Sequence, residues 1–235
     1  MLERLAAQRE VIAVDLPGFG GSPELPPGMP ATAANLGAAV AGFCEELGAV
    51  RPHLAGNSLG GWVALEMAKA GAAATVCCIS PAGLWRRPLG PRRYDSRRLG
   101  HRLRPLLPLL LRSRRARRTL LQTTLAHPER LTAAEARGLV TDWLASPGYE
   151  AANEEMRVHV FEHPERVTVP TTIAWGAADR LVGPPRPERM PPGARYVVLE
   201  GCGHTPTWDD PEAVATLLLE ASSSDSDRLP AVAGA

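Results

Sequence analysis

An α/β fold with a mostly parallel, doubly wound sheet is predicted by three observations. Compact apolar runs, several rich in β-branched residues, recur at 11–14, 50–55, 75–79, 171–176 and 196–201. Segments with helix start and stop signals alternate with the first of these runs. Glycine-rich turns follow the runs, as strand-to-helix connections require.

Residues 2–9 read as the last turns of a helix, and Val11-Ile12-Ala13-Val14 reads as a strand buried on both faces. The loop Asp15-Leu16-Pro17-Gly18-Phe19-Gly20-Gly21-Ser22 contains the letters of a phosphate cradle. It lacks both the full Gly-x-Gly-x-x-Gly register and a strand-loop-helix setting, so no dinucleotide site is expected. After the proline-rich 23–30, Thr32 caps a helix over 33–47 that Gly48 closes. A strand over 50–55 leads to Gly56-Asn57-Ser58-Leu59-Gly60, and a helix then runs from Trp62 to Gly71. The run 75–79 is again strand, ended by Ser80-Pro81-Ala82-Gly83.

From 84 to 168 the strand signals stop and the chain becomes helical, arginine-rich and broken by prolines. Thr132-Ala133-Ala134-Glu135 is a capping box, and Pro147-Gly148 separates its helix from one over 149–161. Lying between two strands, this block is expected to form a helical cap over the sheet edge. Strands resume at 171–176 and 196–201, joined by a proline-crowded link with room for a short helix or none. Asp210 caps a final helix with Pro211 at its first position, reaching about 221. The expected organisation is therefore a core in two parts, 1–83 and 169–221, a cap at 84–168, and a disordered tail at 222–235.

At 235 residues, with 45% hydrophobic and 22% charged, the chain can bury one sizeable core. A net charge of +1 gives no global reason to expect nucleic acid. Charges in the first ten residues interrupt any signal-peptide core, so a cytoplasmic protein is expected. Cys44, Cys77, Cys78 and Cys202 lack metal-ligand spacing and read as buried, reduced thiols; no metal or cofactor is expected.

Gly-x-Ser-x-Gly between a strand and a helix is the pattern of a nucleophile elbow. The sharp turn is expected to need residues without bulk at Gly56 and Gly60, lifting Ser58 Oγ clear of the sheet and aiming the Leu59 N–H at a developing oxyanion. A serine nucleophile needs a base and a carboxylate to orient it. Asp179 follows the strand that ends Trp175-Gly176-Ala177-Ala178, and His204 follows Gly201-Cys202-Gly203 after the next. Each letter alone has a simpler reading, a loop cap for Asp179 and a surface histidine for His204. The three together, in the order Ser, Asp, His, are hard to obtain by accident.

With these motifs, and with Asp15-Leu16-Pro17-Gly18-Phe19-Gly20 and Gly203-His204-Thr205-Pro206, the chain resembles the α/β-hydrolase superfamily from Val11 to about Ala221. The resemblance implies Ser58 as nucleophile, His204 as base, Asp179 as orienting acid and the Leu59 N–H in the oxyanion hole, without a cofactor. It also implies a further strand between 11–14 and the strand leading to Ser58, whose His-Gly loop donates the second oxyanion N–H. That strand has no counterpart in the sequence. Either another segment fills its place or the chain starts upstream of Met1, and the second is expected.

The substrate is expected to be a small molecule, an ester or related carbonyl compound. Asn57 resembles the residue preceding the nucleophile in hydrolases of ring-fission carbon–carbon bonds, which gives a second reading; an impaired hydrolase-like protein is a third. Trp85, Trp143 and Trp208 are candidate pocket residues beside Asn57, although core packing is the simpler role. Arginines 86, 87, 92, 93, 97, 98, 102, 104, 112, 114, 115, 117 and 118 make the front of the cap basic. A solvated surface is the simpler account. The sharper ones are attraction of an anionic substrate or, less favoured, contact with an acidic membrane through the wedge Leu106-Leu107-Pro108-Leu109-Leu110-Leu111.

Overall fold

The computed structural model describes residues 1–91 and 96–223. Four parallel strands, β1 His53–Asn57, β2 Thr75–Ile79, β3 Thr171–Gly176 and β4 Arg195–Leu199, lie side by side in that order. The pairings Asn57 with Ile79, Ile79 with Ala174 and Gly176 with Leu199 bring the C-terminal ends of the strands to one edge. β2 and β3 are buried along their whole length, which is why they read as unbroken compact runs.

Alternate residues of β2 serve opposite faces. Val76 and Cys78 join Ile173, Trp175 and the residues Leu36, Val40, Trp62, Val63, Leu65 and Met67 of α2 (Ala33–Glu46) and α3 (Leu59–Lys69). Cys77 and Ile79 join Ala174, Leu199, Val214 and Leu217 under α10 (Pro211–Ala221). Helices on both faces make the sheet doubly wound. The short α1 (Leu2–Ala6) docks on α10, with Arg4 paired to Glu212 at 2.7 Å. The start signals act as expected. Thr32 Oγ1 accepts from Asn35 N, Asp210 Oδ1 from Ala213 N, and Thr132 and Glu135 cap each other reciprocally.

Several boundaries move. The strand expected at 50–55 starts at His53 and continues to Asn57, because Val50 is exposed and Arg51 adopts φ 49°. The helix expected at 149–161 ends at Val158, and that at 2–9 ends at Ala6. The link from β3 to β4 carries only a 3-10 turn at Pro187–Arg189. The largest correction is at 11–14. This run forms no strand and is unpaired, and Val11, Ile12 and Val14 are 37%, 48% and 39% exposed. Its apolar sequence suits a buried strand, yet β1 pairs only with β2 among the described residues. A groove of about 590 Å³ separates Val11, Ile12 and Val14 from His53 to Asn57. No described segment fills the place of the implied strand.

Between β2 and β3 come α4 (Ser96–Leu103), α5 (Leu107–Leu110), α6 (Arg114–Leu121), α7 (Ala133–Ala145) and α8 (Tyr149–Val158). They have their own core of Leu107, Leu111, Leu121, Leu125, Leu131, Ala136 and Leu144. Backbone contacts fasten this insertion to the sheet's loops, among them the following two. Gly148 N donates to Gly18 O at 2.7 Å, and Thr205 N donates to Thr124 O at 3.0 Å. At the first, a Cβ on Gly18 would sit 2.7 Å from Gly148 Cα, so glycines there permit the approach. Of the expected tail at 222–235, residues from 224 lie outside the described residues, as do Arg92 and Arg93.

α9 (Pro206–Asp209) is the turn between the last strand's loop and α10. It carries the Asp209 carboxylate.

Candidate active site

Ser58 sits between β1 and α3 with φ 53° and ψ −116°, a backbone conformation costly for any residue with a Cβ. The turn is held by Ser58 N donating to Ile79 O at 2.9 Å, and by Trp62 N and Ala82 N donating to Ser58 O. The glycines divide differently from expectation. A Cβ on Gly56 would collide with the Gly60 carbonyl, and one on Gly61 would meet Pro81 Cβ at 2.9 Å, but around Gly60 there is open space. Gly56 and Gly61 are therefore the residues the turn needs. Leu59 is the first residue of α3, so its N–H has no partner within the helix and points out of the helix N-terminus.

Asp179 and His204 meet because the loops after β3 and β4 pack backbone to backbone. Ala177 N donates to Leu199 O and Ala178 N to Cys202 O, while a Cβ on Gly176 would overlap the Gly203 carbonyl. This is the reason for glycine at 176, whereas a Cβ on Gly203 would meet Ala126 N at 2.7 Å and the Leu125 carbonyl carbon at 2.8 Å in the insertion. His204 Nδ1 then lies 2.8 Å from Asp179 Oδ2, and both side chains are almost wholly enclosed. The other carboxylate oxygen, Oδ1, accepts from Leu181 N at 2.8 Å and Val182 N at 2.9 Å. Burial pushes the Asp179 carboxyl up, but the bond from His204 and those from the Val182 and Leu181 amides outweigh it and hold it below its ordinary value. An ionised carboxylate fixes the Nδ1–H tautomer of His204 and leaves Nε2 with its lone pair free. Nε2 is buried without a hydrogen-bond partner.

Asn57, expected as a substrate contact, is otherwise employed. Its side-chain amide donates at 2.9 Å both to Ile79 O and to His204 O, tying the residue before Ser58 to the backbone of the histidine. Two of the three candidate tryptophans pack against other rings. Trp85 packs edge-on against Trp62 and donates to His159 O, and Trp143 packs edge-on against Tyr149. Trp208 is 39% exposed in α9.

Asp209 is the residue that reading by motif passed over. Its carboxylate accepts from Ala126 N, His127 N and Gly203 N at 2.8 to 3.1 Å, joining the insertion to the residue before His204. Nothing in the local sequence signals partners some eighty positions away. Ser80, at the end of β2, is fully buried with φ 42° and an unpartnered Oγ; no carboxylate stands there to compete with Asp179.

Other chemistries are disfavoured by particular groups. The Asp15 carboxylate occupies the loop that resembled a phosphate cradle, accepting from Gly21 N at 2.9 Å, and its charge would repel a phosphate. Burial pushes the Cys77 thiol up to about 12. Burial and then the Asp209 and Asp210 charges push Cys202 up to about 11, so neither forms a thiolate at neutral pH.

A doubly wound sheet carrying a strained serine at a strand-to-helix turn, with an acid–histidine pair on the loops of later strands, defines a hydrolase of the elbow type. The chain belongs to the α/β hydrolase family, whose model matches residues 1–217. It is similar to an epoxide hydrolase, EphH, of Mycobacterium tuberculosis, with 32% identity over 187 residues covering 74% of this chain and 87% of the relative. Among solved structures it is similar to a membrane phospholipase A described as a bacterial virulence factor: 28% identity, TM-score 0.63, 87% of this chain and 67% of the other. It is also similar to a thermophilic esterase of Thermogutta terrifontis, at 25% identity and TM-score 0.64 over 88% of this chain and 76% of the other.

Proposed function

We propose that this hydrolase is a cofactor-independent serine hydrolase of small esters, with Ser58 as nucleophile, His204 as general base and Asp179 as the orienting acid. The observation that carries the reading is the Asp179–His204 pair, 2.8 Å apart and enclosed, on the same sheet edge as a serine held at φ 53°. Ser58 Oγ attacks the ester carbonyl while His204 Nε2 takes its proton. The Leu59 N–H stabilises the tetrahedral oxyanion. The departing alcohol receives the proton from His204 and leaves an acyl-serine. Water then attacks the acyl carbon with His204 again as base, releasing the acid and restoring Ser58. The helical insertion acts as the cap over this edge, fastened to it through Thr124–Thr205 and Asp209.

The activity named for the mycobacterial relative does not transfer easily. A serine opening an epoxide would leave an ether, which water does not readily cleave, whereas attack on a carbonyl leaves a hydrolysable ester. The carbon–carbon reading loses its distinguishing residue, because Asn57 spends its donors on backbone carbonyls.

A fluorophosphonate probe tests the proposal. Folded protein should be labelled at Ser58, and Ser58→Ala should abolish labelling. Folded wild-type protein that stays unlabelled would overturn the reading in favour of a non-catalytic binding role.

A further inference from the structure

We propose that the α4–α6 face of the insertion docks on anionic lipid bilayers. Residues 96–118 hold nine arginines and no carboxylate. The structure divides them into two groups with different roles. Arg97 and Arg117 turn inward and serve carbonyls: Arg97 donates to Leu144 O and Ser146 O, and Arg117 to Leu111 O and Arg112 O. Arg98, Arg102, Arg104, Arg112, Arg114, Arg115 and Arg118 are exposed. Spacings of three and four place Arg114, Arg115 and Arg118 on one side of α6.

The leucines divide likewise, which corrects the six-residue wedge expected from the sequence. Leu107 and Leu111 are buried in the insertion's own core, but Leu106 and Leu109 stand 53% and 65% exposed on the α5 turn. Leu99 on α4 is 57% exposed. Bare leucines set among exposed arginines are poorly explained by a solvated surface. They suit an interface where side chains of the first kind enter the acyl boundary and those of the second meet lipid phosphates.

Charge alone would also suit nucleic acid. Residues 96–142 contain no phenylalanine, tyrosine or tryptophan on which a base could stack and only one exposed imidazole, His101, whereas Leu99, Leu106 and Leu109 stand exposed there, so the apolar component of this segment matches lipid better. Among the described residues no helix is long and apolar enough to cross a membrane, and the proposed contact is with the bilayer surface.

Flotation with vesicles of phosphatidylcholine containing about 30% phosphatidylglycerol tests this with the full chain. Binding should occur with these vesicles, be absent with phosphatidylcholine alone, and fade at about 0.5 M salt. Arg112→Gln/Arg114→Gln/Arg115→Gln should weaken partitioning about 100-fold. Leu106→Ser/Leu109→Ser should weaken it about tenfold or more, with hydrolysis of a soluble ester unchanged. Failure of the folded wild type to bind the anionic vesicles would overturn the proposal. So would equal affinity for a single-stranded oligonucleotide together with indifference to the leucine pair, the outcome that marks a general polyanion patch. The wild-type comparison of vesicles with oligonucleotide decides the matter even where a variant folds poorly, and it does not depend on Ser58.

Discussion

The side-chain amide of Asn57 donates to the main-chain carbonyl of His204 across 2.9 Å, linking residues 147 positions apart. The same amide holds Ile79 O, so the turn at Ser58, the end of β2 and the histidine loop share one strut. Under the proposed mechanism, a strut that fixes His204 relative to Ser58 would act on catalysis without touching substrate.

Asn57→Ala should therefore lower kcat about 10- to 100-fold, since misplacement by about 1 Å is enough for that. KM should change little, and fluorophosphonate labelling should slow in parallel. Steady-state kinetics on a soluble ester distinguish this from a substrate contact, which would raise KM with kcat preserved.

The residues identifiable from sequence were those whose reasons are local. Ser58 is marked by Gly56, Asp179 by Gly176, which admits the Gly203 backbone, and His204 by Gly203, which admits the backbone of Leu125 and Ala126. The helix caps at Thr32, Thr132 and Asp210 rest on residues three positions away. What escaped depends on distant partners. Nothing near Asn57 or Asp209 says which amides or carbonyls they meet, and the inward turn of Arg97 and Arg117 is set by the insertion's packing. The run at 11–14 departs from the expected strand for a related reason: its apolar pattern specifies a buried strand, but pairing also needs a neighbour, and the groove beside β1 holds none among the described residues.

The two glycines of the elbow should respond in opposite directions. Gly56→Ala forces a Cβ into the Gly60 carbonyl and should destabilise the protein by about 1–3 kcal/mol or more. Gly60 has open space around its missing Cβ and lies within α3, so Gly60→Ala should be neutral or stabilise by up to about 1 kcal/mol. Urea unfolding of both variants checks the contrast, and equal destabilisation would show that the turn is crowded at both positions.

Asp209→Asn should loosen the junction between the insertion and the histidine loop. The carboxylate now accepts from three backbone amides; the neutral amide keeps one acceptor oxygen and turns its own donors toward another N–H. A loss of about 1.5–3 kcal/mol for a bond to a charged group is expected. Amide hydrogen exchange at Ala126, His127 and Gly203 should accelerate well beyond the rest of the chain. Uniform acceleration across the protein would mean that Asp209 contributes to global stability and not to this junction.

The Asp179 carboxyl supplies a pH test. Its value in the folded protein lies below the ordinary one, because bonds from His204, Val182 and Leu181 outweigh burial. A group depressed on folding contributes stability that is present above its unfolded pKa and lost as pH falls through the folded value. Stability should thus be flat in this contribution near neutral pH and decline from about pH 5 downward. Asp179→Asn has no such proton to bind, so its unfolding free energy should fall less steeply over that acid range while starting lower at pH 7. Urea titrations at a series of pH values measure both slopes. Identical slopes for the two proteins would show that Asp179 is not held ionised by its partners, and the oriented tautomer of His204 would lose its cause.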